Sequence, residues 1–137
     1  MKVIINQYLR DIGINEDTYW IMSEDHGNDN RYKEDEEGII SAETWNLNTT
    51  LAMIIYSYLC YFRDHCMYGY PVNMTFEKWK ETVNTIIKAF ELMLVEDDTW
   101  SDLTKTNEEK IKISKSRQKK ISYGLRLFAK YFNDFWW

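Results

Sequence analysis

Apolar residues recur every three or four positions through most of this chain, and the breaks in that rhythm mark out its elements. Ile4, Ile5, Tyr8, Leu9 and Ile12 stand at helical spacing, which predicts a first helix over 3–12, ended by Gly13 in a left-handed conformation. Asn15-Glu16-Asp17-Thr18 reads as a turn or a fresh helix start ahead of Tyr19, Trp20, Ile21 and Met22. Residues 23–38 lose the pattern: Asx-type side chains, two glycines and a crowd of carboxylates disfavour a packed element, so an acidic irregular loop is predicted.

The rhythm returns at residue 48. Asn48 is a candidate N-cap for a helix reaching about His65, in which Leu51, Ala52, Met53, Ile54, Ile55, Tyr56, Tyr58, Leu59, Tyr61 and Phe62 leave almost no polar face. A helix apolar nearly all round belongs at the centre of a bundle. Gly69-Tyr70-Pro71 stops it, because Pro71 lacks the N–H and disfavours helix at Tyr70. Thr75 then caps a helix with Phe76, Trp79, Val83, Ile86, Ile87, Phe90, Met93 and Leu94 on one stripe, and Met74 and Trp79 are placed as a hydrophobic staple. Glu96-Asp97-Asp98 is unfavourable at a helix C-terminus, so this helix ends near it. Thr106-Asn107-Glu108-Glu109 has capping-box form and opens a long helix over 107–135, about 42 Å at 1.5 Å per residue. Its basic first half, 110–120, is expected to project beyond the core, and its apolar second half to dock. No strand pattern and no repeat is present. The predicted fold is all-α, a single-domain bundle of about four main helices with an acidic irregular loop.

Two short stretches of this pattern also carry a resemblance. Trp45, Asn46, Leu47 and Thr50 form a corner before the apolar helix, and Gly69, Tyr70, Pro71, Met74, Thr75 and Trp79 form a turn into a Trp-bearing helix. Together they resemble small uncharacterised proteins of tailed-phage genomes, over about residues 38–94. Asn48 stands where that family's corner carries Asp. The resemblance implies a phage origin and no settled activity. Trp45, at a corner just before the central helix, is expected to pack into the domain.

Composition narrows the class further. With 137 residues, 45% hydrophobic and 16% aromatic, the chain has enough apolar material for one continuous core. No run of 18 uncharged apolar residues occurs, and polar residues follow Met1 too soon for a signal peptide, which predicts a cytoplasmic protein with Cys60 and Cys66 reduced. The net charge of −5 is unevenly spread: residues 1–60 balance at −7, residues 61–100 at −3 and residues 101–137 at +5.

Candidate chemistry is sparse. His65 and Cys66 adjoin on a helix and point about 100° apart, so they form neither a metal site nor a nucleophile pair. Glu34 and Glu37 make a Glu-x-x-Glu of the kind that holds magnesium in helical nucleotide pyrophosphohydrolases, but in the loop and without a second pair. No Gly-rich phosphate loop appears. No cofactor or metal is expected. Lys110, Lys112, Lys115, Arg117, Lys119, Lys120, Arg126 and Lys130 could meet phosphates, yet the acidic body argues against direct nucleic-acid binding.

The expectation is therefore a non-enzymatic binding protein, acting in the host cytoplasm, that inhibits a host protein through an acidic and aromatic surface. Its candidate contact residues are Glu24, Asp25, Asp29, Glu34, Asp35, Glu36 and Glu37, with Glu43 and Glu96-Asp97-Asp98 in support. Clustered carboxylates can compete for a groove that binds phosphates, so a nucleic-acid-binding defence protein is a fitting partner. Anti-CRISPR proteins share this general look by analogy only. The alternative is a small helical nucleotide-binding or nucleotide-hydrolysing protein with Trp45, Tyr56 and the Tyr70 turn lining a pocket. The aromatic C-terminus, Phe128 to Trp137, either packs back on the chain or makes a homodimer through the C-terminal helix.

Overall fold

The computed structural model describes residues 3–23 and 25–136, and only the backbone of Trp20 and Ser23. The helices are α1 (Gln7–Asp11), α2 (Trp20–Ser23), α3 (Leu47–His65), α4 (Phe76–Leu94) and α5 (Asn107–Lys130), with 3₁₀ turns at Asn30–Tyr32, Ser41–Thr44, Thr99–Ser101 and Phe132–Asp134. Apart from one isolated antiparallel bridge between Glu34 and Ile40, the described residues form no strand pairing, and the all-α expectation holds. The residues cluster into two compact units, one through Ser57 and one from Tyr58, with the boundary inside α3.

In the first unit, the opening helix is shorter than the predicted span of 3–12. Asn6 caps it at φ −131°, its side chain accepting from the Leu9 N–H at 3.2 Å, so Val3–Ile5 precede the helix. Three successive β-branched or bulky residues resist helix formation. Val3 and Ile5 are buried and Ile4 is exposed, the period-two alternation of an extended segment. Gly13 ends α1 at φ +91°, as expected. The core of this unit is Val3, Ile5, Leu9, Tyr19, Ile40, Ala42, Ala52, Met53 and Tyr56. Glu43 lies inside it and Oε1 accepts the Val3 N–H at 2.7 Å, so Glu43 is a structural carboxylate and not part of an acidic surface.

The expected cap at Asn48 is not made. The preceding turn leads into α3 with Trp45 already helical at φ −60°, ψ −48°, and the first helical bond runs from the Thr50 N–H to the Asn46 carbonyl. Thr50 also donates its hydroxyl to the Glu43 carbonyl at 2.7 Å, tying the helix start to the turn. Nor is α3 buried on all sides: Ala52, Met53, Tyr56, Leu59 and Cys60 face inward, whereas Leu51, Tyr58 and Tyr61 are exposed. Tyrosine counts as apolar in a pattern but tolerates water at its hydroxyl, which is why the pattern overstated this helix's burial.

In the second unit, α4 and α5 run antiparallel. Thr75 caps α4, accepting from the Lys78 N–H at 3.1 Å; of the predicted stripe Trp79, Val83, Ile86, Ile87 and Phe90 are buried, Met93 and Leu94 are half-buried and Phe76 is exposed. Trp79, 1% exposed, meets the rings of Tyr131 and Phe135 at 5.6 and 5.5 Å. Gly124 of α5 lies against Ala89, where an added β-carbon would come within 2.2 Å of the alanine's own. Thr106 and Glu109 complete the capping box at the start of α5.

Two expectations about α5 are corrected. It ends at Lys130, not at 135; the chain then turns through Phe132–Asp134, and Phe135 comes back onto Phe62, Trp79 and Phe128. Its basic first half also does not simply project. Lys110 is buried along its stem and donates Nζ to the Trp100 carbonyl at 3.2 Å. Arg117 reaches the Leu92 carbonyl, the Val95 carbonyl at 3.2 Å and the Asp97 carboxylate at 3.9 Å. That guanidinium supplies from α5 the cation that the acidic C-terminal end of α4 lacks.

Candidate functional site

The segment 25–45 of the first unit holds the predicted contact residues other than Glu24, and the structure divides them by role. Asp25 Oδ1 accepts the Gly27 N–H at 2.9 Å across a turn that needs Gly27 at φ +57°. Asp29 caps the Asn30–Tyr32 turn through the Arg31 N–H at 3.0 Å and grips the Arg31 guanidinium with both oxygens, the shorter bond 2.6 Å. That guanidinium pulls the Asp29 carboxyl down to about 2, with the Arg31 backbone N–H a second cause. Asp35 Oδ1 accepts from the N–H groups of Glu37 at 2.9 Å and Ile39 at 2.8 Å, and Gly38 at φ +74° closes the turn. These three aspartates hold the segment in shape.

The glutamates are different. Glu34, Glu36 and Glu37 stand exposed, and among the described residues no hydrogen bond or ion pair takes up their carboxylates. Glu24 lies outside the described residues. The local rule is simple: the shorter acid reaches its own backbone, and the longer one is left for solvent. The surface charge of the segment is therefore carried by the glutamates.

Beside this turn is Trp45, 81% exposed. The expectation of a packed, structural tryptophan is overturned: Ala42 and Glu43 take the inward positions at this corner. Trp45 lines a groove of about 280 Å³ together with Arg31, Tyr32, Ser41, Ala42 and Thr44. Tyr32 is pinned there by a parallel stack on His26, with ring centroids 3.4 Å apart. Ile39 and Leu47, on either side of this corner in the chain, are also exposed. Sequence reading expected Trp45 inside the domain, and its neighbours gave no signal against that: the buried Trp79 is flanked by Glu77, Lys78, Lys80 and Glu81, no less polar than the surroundings of Trp45. Tyr56, proposed to share a pocket with Trp45, is buried.

Other candidates come to less. Cys60 is buried and Cys66 half-buried, neither in a disulfide, and His65 rests on the Tyr61 ring at 4.4 Å. Among the described residues no three His, Cys, Asp or Glu are grouped to hold a metal ion. No helix among them is long and apolar enough to cross a membrane. Comparison with protein-family models, with curated proteins and with solved structures finds no match.

Proposed function

We propose that this chain is a phage-encoded binding protein that docks on a basic surface of a host protein and blocks it, in the host cytoplasm and without turnover. One observation carries the reading: a tryptophan 81% exposed beside a braced turn whose glutamates meet no partner among the described residues. A tryptophan side chain offers about 150–250 Å². At about 25 cal/mol per Å², burying what is exposed here would return on the order of 3–5 kcal/mol, the size of an interface hot spot. Because Asp29, Asp35 and the His26–Tyr32 stack hold the segment, little ordering entropy opposes docking.

The carboxylates contribute in a different way. Glu34, Glu36 and Glu37 form an acidic rim that steers a cationic partner and speeds encounter, while the indole sets how long the complex lasts. A nucleic-acid-binding defence protein has the basic groove such a rim would enter. The test is affinity capture from infected-host lysate, followed by association kinetics of the captured protein across a salt series. The wild type should associate fastest at low salt, and Glu34→Lys/Glu36→Lys/Glu37→Lys should associate more slowly and lose most of the salt dependence. A rate unchanged by salt and by the triple variant would remove the acidic rim from the mechanism.

A further inference from the structure

The second unit carries a surface of opposite character. From Lys110 to Lys130, α5 has eight Lys and Arg and no Asp or Glu, in a chain whose net charge is −5. Lys110 is taken up by the Trp100 carbonyl and Arg117 by the end of α4, and Lys130 lies 5.3 Å over the Tyr131 ring. Lys112, Lys115, Lys119 and Arg126 are exposed, and among the described residues no ion pair engages them. At 100° per residue these four fall within one face together with Lys130, Ser116 and Tyr123, a stripe about 27 Å long. Gly124, Arg117 and Phe128 lie on the other side of the helix and meet α4.

The exposed face of α4 sets the standard for a helix side that only meets water. There Lys78 pairs with Glu81 at 3.6 Å and Lys88 with Glu91 at 3.0 Å. On α5 the same spacings join like charges, Lys112 to Lys115, Lys115 to Lys119 and Arg126 to Lys130, which repel each other. An anionic ligand would remove that repulsion. Lysine is depleted from protein–protein interfaces, whereas Lys, Arg, Ser and Tyr together are the usual donors to phosphate oxygens. Tyr123 is 52% exposed and lines a groove with Lys115, Lys119 and Arg126, while on its other side the groove against α4 is of mixed charge, with Glu77 and Glu81 beside Lys80, Lys88 and Lys120. An exposed aromatic ring at the edge of a cationic groove suits a base stacked beside its own backbone.

We propose that this face of α5 binds single-stranded nucleic acid, with the cations on phosphates and Tyr123 under a base. The inference stands apart from the first unit and from the function proposed for it. Net charge alone does not oppose it, since exposed charges are screened beyond about 8 Å at physiological salt.

The test is fluorescence anisotropy of the full chain with a labelled single-stranded oligonucleotide of roughly a dozen bases, a duplex of equal length, and polyglutamate as competitor. The single strand should bind with log K falling against log salt at a slope near −3, for about 4 phosphates neutralised. Lys115→Gln/Lys119→Gln/Arg126→Gln should flatten that slope by about 2, and Tyr123→Ala should weaken binding roughly tenfold or more at unchanged slope. Circular dichroism confirms that each variant is folded. The proposal is overturned if the oligonucleotide does not bind at low salt, or if the triple variant binds as wild type. Preference for the duplex would overturn the stacking role, and equal competition by polyglutamate would reassign the face to an acidic protein.

Discussion

Gly124→Ala tests the packing of the second unit at its tightest point. A β-carbon at this position would lie 2.2 Å from Ala89 Cβ and 3.3 Å from the Thr85 carbonyl oxygen. Carbon atoms rest about 3.5–4.0 Å apart, so α4 and α5 would have to separate by roughly 1.5 Å. Neither neighbour can turn away: one is a methyl with no rotamer and the other is backbone. Overpacking costs about 1–3 kcal/mol, and the upper end applies where nothing soft can yield. Alanine recovers about 1 kcal/mol of helix propensity over glycine. The net loss is about 2 kcal/mol, or roughly 6–8 °C in Tm for a chain of this size. Thermal and urea unfolding followed by circular dichroism would measure it. Ala89→Gly, which alone costs about 1 kcal/mol of helix propensity, should return most of the loss in the same molecule, giving a coupling of about 3 kcal/mol between the two sites. A single Gly124→Ala variant as stable as wild type would show that α4 and α5 do not meet here.

Phe135→Ala removes the ring that returns onto Phe62, Trp79 and Phe128, and because Phe135 is half-buried it should cost about 2–3 kcal/mol with no change in mass by light scattering. A drop in mass without a drop in stability would mean the aromatic end joins two copies instead. Tyr19 is buried near Glu43, and desolvation first, then that carboxylate, push its hydroxyl from 10 up to about 12. Below pH 10 both folded and unfolded chains keep this proton; between pH 10 and 12 only the unfolded chain releases it, so stability falls as pH rises. Between pH 9 and 11 the wild type should lose about 1.4 kcal/mol more than Tyr19→Phe in urea unfolding, and equal losses would refute the burial argument.

How much of this was legible in the sequence depends on which force set each feature. The cap at Thr75, the capping box at Thr106 and Glu109, the stripe of α4 and the stop at Gly13 are local, and each was readable from a few neighbouring residues. Errors arose where tertiary contacts decide. Val3–Ile5 has helical spacing but is extended, because Asn6 caps late and Glu43 takes the Val3 N–H. Asn48 is a good cap by type, yet a preceding turn already supplies the helix start. Arg117 reads as part of a free basic run, and only the fold brings it to the last carbonyls of α4. At the candidate site the acidic segment was legible as charge, but not its division into aspartates that brace it and glutamates that face out. Trp45 was misread because burial of a single aromatic at a corner depends on what else fills the inward positions, here Ala42 and Glu43.

The most direct test of the central claim is a paired measurement on Trp45→Ala: its Tm, and its dissociation rate from the host protein captured by wild type. An exposed anchor predicts a Tm within about 1–2 °C of wild type, since surface changes stay within about 0.5 kcal/mol. It also predicts a dissociation rate at least about 30-fold faster, the factor that corresponds to a hot spot of 2 kcal/mol. A clear fall in Tm with an unchanged dissociation rate would return Trp45 to a structural role and contradict the account.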